Sequence, residues 1–289
     1  MNIEQFRVPE GKTLDLGDHQ TDFTGDYTDK HNAVKDLKSN IKQLEELQKV
    51  LYAYDKKALL IIFQAMDAAG KDGAIRHVMS GLNPQGTQVF SFKAPSSEER
   101  DHDYLWRCMK ALPERGRIGI FNRSYYEDVL IVRVHKAILE STQLPDKIKN
   151  DPNIWEKRFE QIRNFEKYLF ENGIHVIKFF LHLSKEEQRR RFLARIDTPE
   201  KNWKLSPADA KERGFWDDYM NAYTDAIQNT STENSPWYVI PADHKWFSRV
   251  TVSKVLIDKM RSLDMNYPKV TEEHKERLME TKEMLENEA

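Results

Sequence analysis

An α/β domain built around a parallel sheet of five strands is what this sequence predicts, and three observations predict it. Five short apolar runs are spaced along the chain from Ala58 onward, and segments of helical period lie between them. Strands that alternate with helices pair in parallel and need helices on both faces of the sheet. The first run also passes directly into a turn of small residues and then into a helical pattern, "LLIIFQAMDAAGKDG". The 289 residues contain no repeat and no low-complexity linker, so a single domain is expected over 1–289.

Residues 1–28 are polar with scattered Gly and Asp, and read as an irregular arm. From Lys30 to Tyr54, apolar Val34, Leu37, Ile41, Leu44, Leu47 and Leu51 recur every three or four residues, the spacing of an amphipathic helix. Strands are expected at Ala58–Gln64, Gln88–Phe92, Arg117–Phe121, His175–Leu183 and Trp237–Ile240. Helical patterns cover Ala74–Leu82, Glu98–Leu112 and Ile154–Gly173, the last stopping at its glycine. Between the fourth and fifth strands, Ser184–Gly214 inserts two helical patterns broken at Pro199 and Pro207. Residues 270–289 form a charged helical tail, solvated or packed on a partner subunit.

Composition narrows the function. Charged residues make up 32% and hydrophobic residues 39%, which suits a soluble globular chain. A net charge of -2 gives no global reason to expect nucleic-acid or membrane binding, so a polyanion site must be a local cluster of Lys and Arg. Cys108 is the only cysteine, which excludes an internal disulfide and a cysteine-based zinc site. The N-terminal residues lack the basic-then-apolar pattern of a signal peptide. No apolar run approaches the roughly 20 residues that span a bilayer. A cytoplasmic location is expected.

The turn after the first strand carries the chemistry. A tight turn at a helix N-terminus points backbone N–H groups at an anion, and the helix dipole adds positive potential. Small residues Ala65, Ala68, Ala69 and Gly70 let a phosphate approach the backbone, with Asp72 and Gly73 opening the helix. Lys71 reaches the outer phosphates as a point charge. The bland alternative is a strand-to-helix turn with an exposed lysine; the strand, the small residues and the helix together favour a phosphate site. Two positions depart from the G-x-x-x-x-G-K-[ST] loop, Ala65 for its first Gly and Asp72 for its Ser or Thr. Asp67, inside the loop, makes sense if Mg²⁺ lies between it and the phosphates or if it faces the acceptor.

The third strand ends in "IGIFNRSYYEDVL". P-loop kinases of the thymidylate kinase type place an Asp-Arg pair at such a strand end, here Asn122-Arg123. Ligands of open α/β sheets sit at the carboxyl ends of strands, so Arg123 is a candidate clamp on a transferring phosphoryl group. Ser124 and Glu127 have the spacing of a helix capping box, which leaves Glu127 open between cap and functional residue. Asp128 is a candidate near the metal. Arg133 is a further candidate phosphate contact, and His135 reads as structural.

The insert holds nine Lys or Arg against six Asp or Glu, clustered at Arg189, Arg190, Arg191 and Arg195. Its alternatives are a solvated helix or a mobile lid closing over phosphates, and its place between strands favours the lid. Arg191 and Arg195, four apart, lie on one helix side. Lys204 is grouped with them, and Arg76 on the loop helix adds a further cation. Trp203, Trp216 and Tyr219 are read as anchors of the lid against the core. The fold expected is thus a P-loop kinase-like three-layer sandwich with a helical lid.

"QAMDAAGKDG", "FNRSYYEDV", "EEQRRRF" and "PEKNWKLSPAD", in this order, resemble the polyphosphate kinase 2 family. The likeness runs from about Leu47 to Pro268 and is closest to the class that phosphorylates both AMP and ADP. It implies a reversible Mg²⁺-dependent kinase with inorganic polyphosphate as donor and ADP or AMP as acceptor, assembled as a dimer or tetramer. By motif it makes Asp67 and Lys71 the essential loop residues and assigns Arg123 to the second motif and Arg191 to the lid; the metal ligands expected from the chemistry are Asp67, helped by Asp128. Asn122 stands where other members have Asp. An ATP-dependent nucleoside monophosphate kinase and a non-catalytic polyanion- or nucleotide-binding protein are the rival readings.

Overall fold

Leu59, Ile61 and Phe63 face one side of the sheet and Leu60 and Ile62 the other, because side chains alternate along a strand, and both sets are buried. A strand apolar on both faces needs a helical layer on each. The computed structural model, which describes residues 1–288, has that arrangement. Its sheet contains β1 (Arg7–Val8), β2 (Ala58–Gln64), β3 (Thr87–Ser91), β4 (Ile118–Asn122), β5 (Ile174–His182) and β6 (Trp237–Pro241). Their spatial order is β1-β6-β5-β2-β4-β3.

The five strands expected from the sequence run parallel. The sixth, β1, pairs antiparallel with β6, Arg7 opposite Tyr238 and Val8 opposite Trp237. The sheet is therefore mixed, and the N-terminal arm is less irregular than expected. A strand of two residues shows no alternation to read in a sequence. Tertiary contacts hold it instead: Ser231 Oγ donates to the Val8 carbonyl at 2.6 Å, and Phe6 packs edge-on against Phe23 and Phe247.

The main helices are α1 (Lys30–Tyr54), α2 (Lys71–Val78), α3 (Ile154–Glu171), α4 (Lys185–Ile196), α5 (Trp216–Thr230), α6 (Lys245–Arg261) and α7 (Glu272–Glu286). Helices α1, α2 and α6 cover one face of the sheet, and α3 and α5 the other. Asp29 caps α1 by accepting from the His31 amide at 2.6 Å, and Leu37, Leu44 and Leu51 are buried as the periodicity requires. No helix among the described residues is long and apolar enough to cross a membrane.

The helix expected over Glu98–Leu112 is broken into two short ones, Ser97–Arg100 and Trp106–Met109. A capping box between Ser96 and Glu99 starts the first, and Asp103 Oδ1 then accepts from the Leu105 amide. That side-chain bond competes with helix continuation. In the insert, each proline opens a new segment: a 3-10 helix at Pro199–Lys204 and a short helix at Pro207–Glu212.

Candidate functional site

The carboxyl end of β2, with β4 on one side and β5 on the other, delivers the chain to the loop Ala65–Gly70. Open α/β sheets bind ligands at such a point. The loop turns through two left-handed residues, Ala68 at φ +64° and Gly70 at φ +108°. Gly70 is the N-cap of α2, so the N–H groups of Lys71, Asp72 and Gly73 have no acceptor within the helix. A non-glycine residue at positive φ costs about 1 kcal/mol, so the surroundings must hold Ala68 in place.

Arg191 does much of that holding. All five of its N–H bonds are used. Nη1 donates to the carbonyls of Ala68 (2.9 Å) and Ala69 (2.8 Å), Nη2 to those of Ala242 (2.6 Å) and Asp243 (2.8 Å), and Nε to Glu187 Oε1 (2.7 Å). Gln188 Nε2 adds a bond to the Asp67 carbonyl at 2.9 Å. Arg191 is buried beneath the loop, so in this structure it is a strut and not a lid arginine free to meet phosphate.

Lys71 is only 9% exposed, and its Nζ donates to the Ala65 carbonyl at 2.7 Å. Burial lowers its pKa, and the Asp67 carboxylate opposes that shift. Arg123 Nη2 donates to Asp67 Oδ1 at 3.0 Å. Arg123 is itself left-handed at φ +65°, and its amide donates to the Phe63 carbonyl at 3.0 Å, which ties the end of β4 to β2. The loop lysine, the loop aspartate and the strand-end arginine therefore meet in one place.

The capping box does not form. Ser124 Oγ accepts from the Tyr126 amide at 3.2 Å and a 3-10 helix follows, Tyr125–Val129. Glu127 turns instead toward Gln64, whose amide donates to Glu127 Oε1 at 2.9 Å when oriented to satisfy its neighbours. Burial raises the Glu127 pKa, while Arg123 and Lys71 pull it back down.

Several expected members stand elsewhere. Asp128 faces Arg158, 3.7 Å away, and burial raises its pKa to about 6. Asp128 is thus paired with a buried arginine, whereas Glu127, its neighbour in the 3-10 turn, faces Gln64. Asn122 Nδ2 donates to Asp72 Oδ1 at 2.8 Å, so these two departures from the usual P-loop kinase pattern satisfy each other. Arg133 is paired with Asp225 at 2.6 Å, and His135 Nε2 lies 2.9 Å from Glu212 Oε2. Trp216 and Tyr219 are buried anchors as expected, but Trp203 is 79% exposed. Lys204 lies beside it, Nζ 5.0 Å from the Trp203 ring.

A cleft of about 140 Å³ opens at the loop, lined by Ala68, Arg191, Ala194, Arg195, Lys201 and Lys245, with no acidic residue. Arg249 and Arg76 extend this positive rim along α6 and α2. A side chain at Gly73 would come within 3.4 Å of Arg249 Nη2, so this glycine gives the arginine room against the loop helix. Burial and neighbouring cations, Arg76 among them for Arg249, lower the pKa of Lys245 and Arg249. Sequence reasoning missed Gln188, Lys245 and Arg249. The two basic residues sit four apart in "DHKWFSR" after the last strand, a spacing visible in the sequence, but only the fold puts that helix start beside the loop.

The family model for polyphosphate kinase 2 matches residues 27–268, which include every element of this site. The chain belongs to the polyphosphate kinase 2 family. It is 54% identical over 285 residues to an ADP-polyphosphate phosphotransferase of Rhodopseudomonas palustris, covering 99% of both chains. It is 42% identical over 267 residues to an AMP/ADP-polyphosphate phosphotransferase of Meiothermus ruber, covering 92% of this chain and 96% of that one. The crystal structure of polyphosphate kinase 2 from Arthrobacter aurescens TC1 superposes with a TM-score of 0.86 at 41% identity, over 96% of each chain. This family member thus shares its length with these three relatives and its fold with the Arthrobacter enzyme.

Proposed function

We propose that this polyphosphate kinase 2 transfers the terminal phosphoryl group of inorganic polyphosphate to ADP, and to AMP, in a reversible reaction. The observation that carries the reading is the basic cleft at Ala68, whose lining of Arg191, Arg195, Lys201 and Lys245 with no carboxylate suits a chain of phosphates. Two of its relatives carry names that state polyphosphate as substrate, one with ADP and one with AMP/ADP.

Phosphoryl transfer has a loose transition state, so positioning and charge neutralisation supply most of the rate. The N-terminal amides of α2 and Lys71 bind the phosphates of one substrate. Arg123 keeps Nη2 on Asp67 and presents its other N–H groups to the equatorial oxygens. Arg195, Lys201 and Lys245 hold the donor chain in the cleft. Asp67 orients the acceptor phosphate, which is already ionised near neutral pH and needs no strong base.

Among the described residues no group of three His, Cys, Asp or Glu forms a metal cage. Asp67 would hold Mg²⁺ as its protein ligand, a carboxylate oxygen suiting this hard cation. When bound, it neutralises phosphate charge. The exposed apolar residues of α7, Leu278, Met279, Met284 and Leu285, support self-association as a dimer or tetramer, which sedimentation would measure.

The test is purified protein with polyphosphate and either ADP or AMP, without ATP. ATP from the first and ADP from the second are expected, with Lys71→Ala lowering turnover about 10²–10³-fold. Phosphorylation of AMP by ATP but not by polyphosphate would instead establish a nucleoside monophosphate kinase.

A further inference from the structure

Two consecutive tyrosines follow Arg123 and Ser124, and both are completely buried. Their hydroxyls reach a single carboxylate oxygen. Tyr125 Oη donates to Glu166 Oε1 at 2.8 Å and Tyr126 Oη to the same atom at 2.9 Å. Glu166, on α3, is 1% exposed, and Lys178, on β5, has no exposure at all. These two form an ion pair through Glu166 Oε2. Lys178 Nζ also donates to Tyr126 Oη at 3.1 Å and to the Thr230 carbonyl at 2.8 Å, so its three N–H bonds are all used. Trp237 Nε1 donates to Thr230 Oγ1 at 2.9 Å. One polar knot inside the apolar second face thus joins the segment after Arg123 to α3, β5, the end of α5 and β6.

Stability does not explain such a knot. Well-packed apolar residues usually match or exceed a buried ion pair, because both charges must leave water. What apolar packing does not do is fix a chain segment at a defined angle, which directional bonds to two neighbouring hydroxyls achieve. The segment that needs fixing is adjacent. Arg123 has a positive φ without being glycine, and such a conformation persists only where the surroundings over-determine it. The Phe63 carbonyl holds its amide on one side. On the other side the buried Ser124 contacts the Gln64 amide, and Tyr125 and Tyr126 carry the hold on into the second face.

We propose that Lys178, Glu166, Tyr125 and Tyr126 form a buried tether that keeps the Arg123 backbone left-handed and so aims its guanidinium across the phosphate loop. They are positioning residues, and the proposal rests on the reading of Arg123 as a phosphoryl clamp. Lys178 and Glu166 set the anchor point, and the two hydroxyls carry it to the strand end.

The test is Tyr125→Phe/Tyr126→Phe in the full chain, which removes both hydroxyl links and leaves the ion pair in place. Amide exchange in residues 122–130 should quicken about 10-fold without substrate, while exchange in β5 stays near wild type. With polyphosphate and ADP, kcat should fall about 10-fold and KM for polyphosphate stay within about 2-fold. In an Arg123→Ala background the same pair of substitutions should change kcat/KM less than about 2-fold, since the tether then has nothing to aim. Unchanged exchange at 122–130, or a full loss that persists without Arg123, overturns the proposal. If the double variant does not fold, Tyr125→Phe alone, which leaves Tyr126 on Glu166, gives the same comparison at smaller amplitude. A wild type inactive with polyphosphate would sink the functional reading, and the exchange measurement would still decide the tether.

Discussion

The insert after β5 has two halves that look alike in composition and behave differently in the fold. In α4, Glu187, Gln188, Arg191 and Phe192 are buried, and the polar members bind the phosphate loop and one another. In Pro199–Lys204 and Pro207–Glu212 no residue is buried, and Trp203 stands in solvent. Both halves are rich in Lys and Arg. A cation whose every donor is taken within the fold, four by backbone carbonyls and one by a carboxylate, shapes a site, whereas one that lines an open cleft can bind a ligand. Counting charges does not separate the two.

The sharpest break in this comparison is Arg191→Lys. An ammonium has three donors for the five acceptors that the guanidinium satisfies, so the loop should lose its support despite the kept charge. A loss of about 3 kcal/mol of stability and of about 10²-fold or more in kcat is expected from denaturation and turnover. Near-wild-type values in both would mean that Arg191 acts as a point charge, and the two halves would then be alike.

Acid tests the anchored half at its root. His182, whose carbonyl accepts from the Ala242 amide, is buried, and burial draws its pKa down to about 4 from 6.5. The unfolded chain therefore takes up the proton first as pH falls. The neutral ring leaves stability intact above about pH 6.5, and up to about 1.4 kcal/mol per pH unit is lost between 6.5 and 4. Burial draws His175 down to about 4 as well, so His182→Gln should remove only its own share of that slope in melting curves recorded across the window; an unaltered slope would remove His182 as a source.

The cleft should respond more gently. Arg195→Ala and Lys201→Ala are expected to raise KM for polyphosphate several-fold each, with a weaker dependence on salt and little change in kcat. A kcat effect as large as that of Arg191→Lys would move these residues from the cleft to the reacting phosphate. Trp203→Ala should change stability by no more than about 0.5 kcal/mol, because the ring covers nothing in the core. A larger drop in the melting temperature would show that the exposed half has a docked state.

Much of this site was legible beforehand. The strand, the small-residue turn and Lys71 follow one another in sequence, so local pattern alone placed the turn between β2 and α2. Asn122-Arg123 was legible by a similar argument, since a strand end must lie near other strand ends. Glu127 was not: its spacing from Ser124 suits a cap as well as a site, and only the 3-10 turn separates these. Asp128, a metal candidate from its place in the sequence, was not legible as the partner of Arg158, because that arginine comes from a helix 30 residues further on. The edge strand β1 escaped because two residues carry no period.

The sequence by itself determined the alternation of strands and helices, the small-residue turn after β2 and the family, because these rest on contacts between near neighbours and on short-range periodicity. Tertiary structure alone decided which arginine is strut and which is rim, that Lys245 and Arg249 border the loop, and that a buried lysine and glutamate stand behind Arg123. Those roles depend on which donors meet which acceptors across distant segments, and a hydrogen bond is set by position in space, not along the chain.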